Sequence, residues 1–191
     1  MCIRDSSHCC FVHGPLHGDR VHWTMILIEP TIQARFGRAV RQRALTAFLK
    51  NASEAAGLKG EVSVMLTGDE ELRRLNREFR GKNRPTDVLS FPAPDPLKGH
   101  RPIAGDVAIS VESAARQAAE FGHPLATELQ ILLLHGLLHL SGYDHETDTG
   151  QMARKEAVLR KQFGLEWGLI ERSGHEPARP KQAGTRRRGK P

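Results

Sequence analysis

The sequence is poor in cysteine, in aromatic residues and in long apolar runs. Its 191 residues hold three cysteines, Cys2, Cys9 and Cys10, so no disulfide framework ties the chain together downstream of position 10. Such cysteine usage suits a reducing compartment, and a cytoplasmic location is expected. Only residues 131–140 are continuously rich in aliphatics, and two histidines and a glycine interrupt them. That stretch is about half of the roughly 20 residues a spanning helix needs, so no membrane role is expected. Nor do the first residues have the basic and then apolar order of a secretory signal. Aromatics are 5% of residues, too few to assign a stacking platform for unpaired bases. Phe79, Phe91 and Tyr143 are the candidates, with core packing the simpler reading for both phenylalanines.

What remains is the composition of a soluble globular protein, 39% hydrophobic and 26% charged, long enough for one domain with terminal extensions. The net charge of +6 is uneven: residues 172–191 carry seven Lys or Arg and one acidic residue, while residues 1–171 carry 21 of each sign. The excess is a basic arm, expected to be a disordered tail, with contact to an anionic polymer as the other reading. Residues 1–24 read as a leader, disordered or arising from a mis-assigned start. His8, Cys9, Cys10, His13 and His17 have the spacing of no familiar metal finger. Residues 25–171 then form a single domain.

Hydrophobic periodicity places a strand at 25–29, one amphipathic helix at 35–56 with Ala39, Ala44, Phe48 and Leu49 inward, and an alternating strand at 61–67. Asp69 is placed to cap a helix over 70–80. Strands at 87–91 and 106–110 flank a Pro- and Gly-rich connection. Helices follow at 111–121, 125–140 and 148–163, the last with Met152, Ala157 and Leu159 for burial. The expected fold is α+β, or mixed α/β, with about four strands packed by about five helices.

The segment HGLLHLSGYDH, residues 135–145, carries the chemistry. Residues four apart share a helix face, so His135 and His139 can present both imidazoles to one ion. Gly142 can take the left-handed conformation that ends a helix, and the reversal can return His145 to the same point. Three imidazoles with an open position are the donor set of a catalytic zinc, whereas structural zinc usually takes four protein ligands, mostly cysteine. One zinc ion in the C-terminal helical half is therefore expected. Histidines at positions 1, 5 and 11 and glycine at 8 equal the metzincin protease spacing, but Gly136 stands where those proteases keep their glutamate base. That makes a zinc metalloprotease the weakest reading. Gly136 is instead expected to allow close approach of another backbone or of substrate. A second cluster, Arg73, Arg74, Arg77, Arg80, Lys82 and Arg84, is opposed within its span by Glu78 alone. Arg73 and Arg74 suit a solvated face; Arg80, closing a helix beside a glycine, can grip a phosphate.

HGLLHLSGYDH, with LNREFRGKNRPTDVLSFP and GDVAIS before it, resembles the YbeY endoribonuclease family of bacterial ribosomal RNA maturation factors. The resemblance implies a single-strand-specific, metal-dependent endoribonuclease that matures the three-prime end of small-subunit ribosomal RNA and serves ribosome quality control. It implies zinc on His135, His139 and His145, and a catalytic or phosphate-binding role for Arg80. Its partners would be single-stranded or ribosomal RNA and the ribosome or small-subunit assembly proteins. Asp87, Ser90 and Asp106 match motif positions too; mainly structural work is expected of them, with orientation of the ligands by Asp87 and Asp106 the other reading. The alternative from a different class is a non-catalytic ribosome-assembly or RNA-binding factor with structural zinc.

Overall fold

A computed structural model describes residues 24–94, 102–145 and 147–165. The expected leader, apart from Thr24, and the expected basic tail lie outside these residues. Four strands, β1 (Met25–Ile28), β2 (Glu61–Thr67), β3 (Val88–Pro92) and β4 (Ile103–Ser110), form one mixed sheet in the order β1-β2-β4-β3. β1, β2 and β4 run parallel, and β3 pairs antiparallel with β4 at the edge. Six helices are described: α1 (Pro30–Val40), α2 (Gln42–Ala56), α3 (Asp69–Arg80), α4 (Val111–Phe121), α5 (Leu125–Leu140) and α6 (Gln151–Phe163). The α+β class and the four strands are as expected, with one helix more.

The extra helix comes from a break. Arg41 adopts the left-handed conformation (φ 50°), which separates α1 from α2 where a single helix was expected. Across that residue the helical phase slips, so Val40 and Leu45 are buried while Ala39 and Ala44 face solvent. Pro30 opens α1 at its first turn, where a missing N–H costs nothing, five residues earlier than expected. Asp69 is the first residue of α3 and does not cap it. Its carboxylate instead accepts hydrogen bonds from the hydroxyls of Ser110 and Ser113 and pairs with Arg116 at 2.8 Å. β4 begins three residues earlier than expected, and α6 three residues later. Asp148 precedes α6, its carboxylate accepting from the backbone N–H groups of Gly150, Gln151 and Met152.

Alternation along the strands decides what each sheet face buries. Val62, Val64 and Leu66 of β2 and Val107 and Ile109 of β4 turn toward α1, α2, α5 and α6 in the main core. The other face holds a small cluster in which Leu72 and Leu75 of α3 meet Leu89 and Ala108, with Met65, Phe79 and Phe91 against them. α5 runs through the middle of the main core and is buried on nearly all sides. The LLL and LL runs around its histidines follow from that position, because a helix enclosed all round has no polar face to keep.

Candidate metal centre

α5 carries His135 and His139 one turn apart on the same side. His135 is 4% exposed and His139 is mostly buried. Their Nε2 atoms face each other at 3.1 Å, with ring centroids 4.8 Å apart. The helix then ends in a Schellman turn: Gly142 (φ 89°) donates to the carbonyl of His139 and Tyr143 to that of Leu138. This reversal, for which glycine has no Cβ penalty, brings back His145, whose ring centroid lies 5.1 Å from His135 and 5.3 Å from His139. One ligand atom from each of the three lies within 4.8 Å of the others.

Such a set can hold a metal ion. Two nitrogens bound to a tetrahedral zinc at about 2.0–2.1 Å stand about 3.3 Å apart, close to the spacing of His135 and His139. Burial pushes the His139 imidazole down to about 3, the neighbouring His135 and His145 adding to the effect. At neutral pH it is therefore an uncharged ring with a lone pair to give. His145 stands on an exposed turn, which leaves one side of the trio open to solvent.

The surroundings of the trio explain two further residues. A Cβ at Gly136 would meet Val107 Cγ1 at 2.9 Å, Ser90 Oγ at 3.1 Å and Val88 Cγ2 at 3.4 Å. The glycine thus lets α5 lie close on the sheet, and a glutamate there would be driven into β3 and β4. The close approach expected at Gly136 is made to strand side chains. Ser90 completes the contact by donating to the Gly136 carbonyl at 3.0 Å.

Asp87 is occupied elsewhere. Its oxygens accept from the Val88 N–H, from Thr86 and from Gln117 of α4. Asp106 pairs with Phe91 across the strands. A carboxylate that meets His135 is Glu156, which the sequence did not single out: its Oε1 lies 3.1 Å from His135 Nδ1, and Glu156 is 1% exposed. The signal was present in α6, where Met152, Glu156 and Leu159 follow i, i+4, i+7 and put an acid in an apolar row. Ala157, expected inward, is only partly buried.

Arg80 is half-buried at the last turn of α3, before Gly81 (φ 65°). Phe79 beside it packs edge-on against Phe91 at 5.2 Å, as core packing requires. Ser90, next to Phe91 in β3, faces the other side of the sheet and holds the α5 backbone beside His135. Of the other cations, Arg74 is paired with Glu71 and Glu78, and Arg73 donates to Asn83.

Fold and trio together define a class, an α+β domain with a three-histidine pocket able to hold a metal ion. The family model described as endoribonuclease YbeY matches residues 29–164. This chain belongs to that family. Among its relatives are proteins named endoribonuclease YbeY from Koribacter versatilis, 50% identical over 70% of this chain and 85% of that one, and Solibacter usitatus, 47% identical over 70% and 86%. A third, from Anaeromyxobacter sp. Fw109-5, is 43% identical over 78% of this chain and 77% of its own. Among the described residues, no helix is long and apolar enough to cross a membrane.

Proposed function

We propose that this protein is a metal-dependent endoribonuclease specific for single-stranded RNA. Its place of action is ribosomal RNA maturation in the cytoplasm, at the three-prime end of the small-subunit RNA, and ribosome quality control. The single observation that carries the reading is the convergence of His135, His139 and His145 in a chain whose relatives are named endoribonucleases. Residues 25–171 are the domain that does this work. Three histidines without a cysteine nearby favour one zinc ion, held by those three side chains. When bound, such an ion polarises a phosphoryl oxygen and lowers the pKa of a water toward about 7.

The chain's own residues supply the rest. His135 and His139 turn their Nε2 atoms toward one point. Arg80, fixed at a helix end, gives the planar guanidinium that binds a phosphate through two parallel hydrogen bonds and stabilises charge gathering on its oxygens. Arg77, on the same side of α3, widens the positive surface along which a flexible strand can lie. The test is cleavage of single-stranded and duplex RNA by purified protein, with and without a chelator, beside His139→Ala and Arg80→Ala. Loss of single-strand cleavage in all three cases supports the reading, and equal cleavage throughout overturns it.

A second reading, a ribosome-assembly or RNA-binding factor with structural zinc, is favoured by the His135–Glu156 contact, which ties α5 to α6. It expects a chelator to unfold the protein, since metal affinity would then be folding free energy. Thermal melting with and without chelator separates the two.

A further inference from the structure

Three of the four buried residues of α6, Met152, Leu159 and Glu156, share the helix side that faces the core, and only Glu156 among them is charged. A carboxylate buried to 1% exposure is costly unless something specific faces it. What faces it is His135 Nδ1 at 3.1 Å, on a ring itself buried to 4%. A carboxylate oxygen that accepts at this distance requires the hydrogen to be on Nδ1. That tautomer would leave the lone pair on Nε2, the atom that faces His139 Nε2 at 3.1 Å.

Resting on the metal reading above, we infer that Glu156 is a positioning residue for metal capture: by accepting from Nδ1–H it fixes the His135 tautomer and ring orientation and makes Nε2 the donor. The sequence offers a reason for recruiting it from a distant segment. His139 and His145 sit beside the turn that ends α5, whereas His135 lies a full turn deeper, where α6 packs on α5. No residue within ten positions of His135 on α5 supplies a carboxylate except Glu128, which pairs with His123 at 3.0 Å. α6 therefore brings the acid, 21 residues along the chain. A partner of this kind sets ligand basicity, and its loss weakens metal binding without removing a ligand.

The experiment uses the full chain and zinc alone. Zinc affinity is measured by competition with a chromophoric chelator for the wild type, Glu156→Gln and Glu156→Ala. Long-range proton–nitrogen spectra of the imidazoles report the His135 tautomer, and thermal melts in chelator report folding. The expected result is Nδ1–H on His135 in the metal-free wild type, with zinc affinity falling about 10-fold in Glu156→Gln and toward about 100-fold in Glu156→Ala. Glutamine keeps the shape and an acceptor oxygen, so a smaller loss than in alanine marks orientation and a loss at all marks the charge. A wild type that binds zinc with both variants equal to it, or that carries its proton on Nε2, overturns the inference and leaves the metal reading standing. A wild type that fails to bind zinc overturns the metal reading first. If neither variant folds, the wild-type tautomer decides.

Discussion

The two faces of the sheet are unlike. On one, α1, α2, α5 and α6 build a deep apolar core, and the polar groups that reach into it include the Ser90 hydroxyl, His135 and Glu156. On the other, α3 caps a thin cluster and keeps Arg73, Arg74 and Arg77 outside, with Arg80 half-buried at its end. Neutral imidazole lone pairs need water and protons held off, so they belong in the deep layer. A cation that grips phosphate must stay within reach of a polymer, so it belongs on the thin one. β3 serves both, with Ser90 turned to α5 and Phe91 to α3.

The sharpest way to break this division is to remove a ligand. His139→Ala should reduce RNA cleavage by more than the roughly 100-fold that loss of an orienting partner costs, and should reduce zinc affinity with it. Chelator competition and initial cleavage rates check both. The next effect is on packing. Gly136→Val pushes atoms into Val107 and Ser90, and overpacking a core of this density should cost about 2–3 kcal/mol. Arg77→Val on the exposed side of α3 should stay within about 0.5 kcal/mol. Urea melts of the metal-free proteins compare them, and similar losses would show that the two faces are not as different as their burial. Arg80→Ala should lower the cleavage rate about 10–100-fold, the worth of one or two charged hydrogen bonds. Arg74→Ala, its side chain already engaged by Glu71 and Glu78, should leave the rate nearly unchanged.

Much of the deep face was legible in the sequence, and the reasons are local. The i, i+4 histidines and Gly142 fix a trio through one helix and one turn, so spacing alone could place them. Strand alternation in β2 was equally local. What escaped depended on contacts distant in sequence or on one backbone torsion. Arg41 breaks α1 from α2 through a left-handed torsion that no proline or glycine announces. Asp69 has the residue type of a cap, but Ser110 and Ser113, more than 40 residues on, claim its oxygens. Gly136 reads as room for a ligand until the strands beneath α5 are known, and Glu156 meets His135 only because α6 folds back on α5. Arg80 was visible as a cation at a helix end; its partial burial there was not.

The smallest expected effect separates the two regions by pH. His139 has a folded value near 3 against an ordinary 6.5, so below pH 6.5 the unfolded chain takes up a proton that the folded chain refuses. Stability of the metal-free protein should therefore fall steadily from pH 6.5 toward 3, and His139→Gln should flatten that slope. Asp69 lies at the other end of the sheet. Burial would raise its value, but the Ser110 and Ser113 hydroxyls and Arg116 together hold it below 3.8. Its stabilising contribution is present above the unfolded value and is lost as pH falls through the folded one, a window that opens where that of His139 closes. Because the carboxylate is partly exposed, this loss should be about 1 kcal/mol or less. Urea melts at half-unit steps from pH 7 to 2.5 resolve both windows. Asp69→Asn should lower the curve by a constant amount above about pH 4 and flatten its slope only below that, and a change in its slope near pH 6 would show that the two ends of the molecule do not titrate independently.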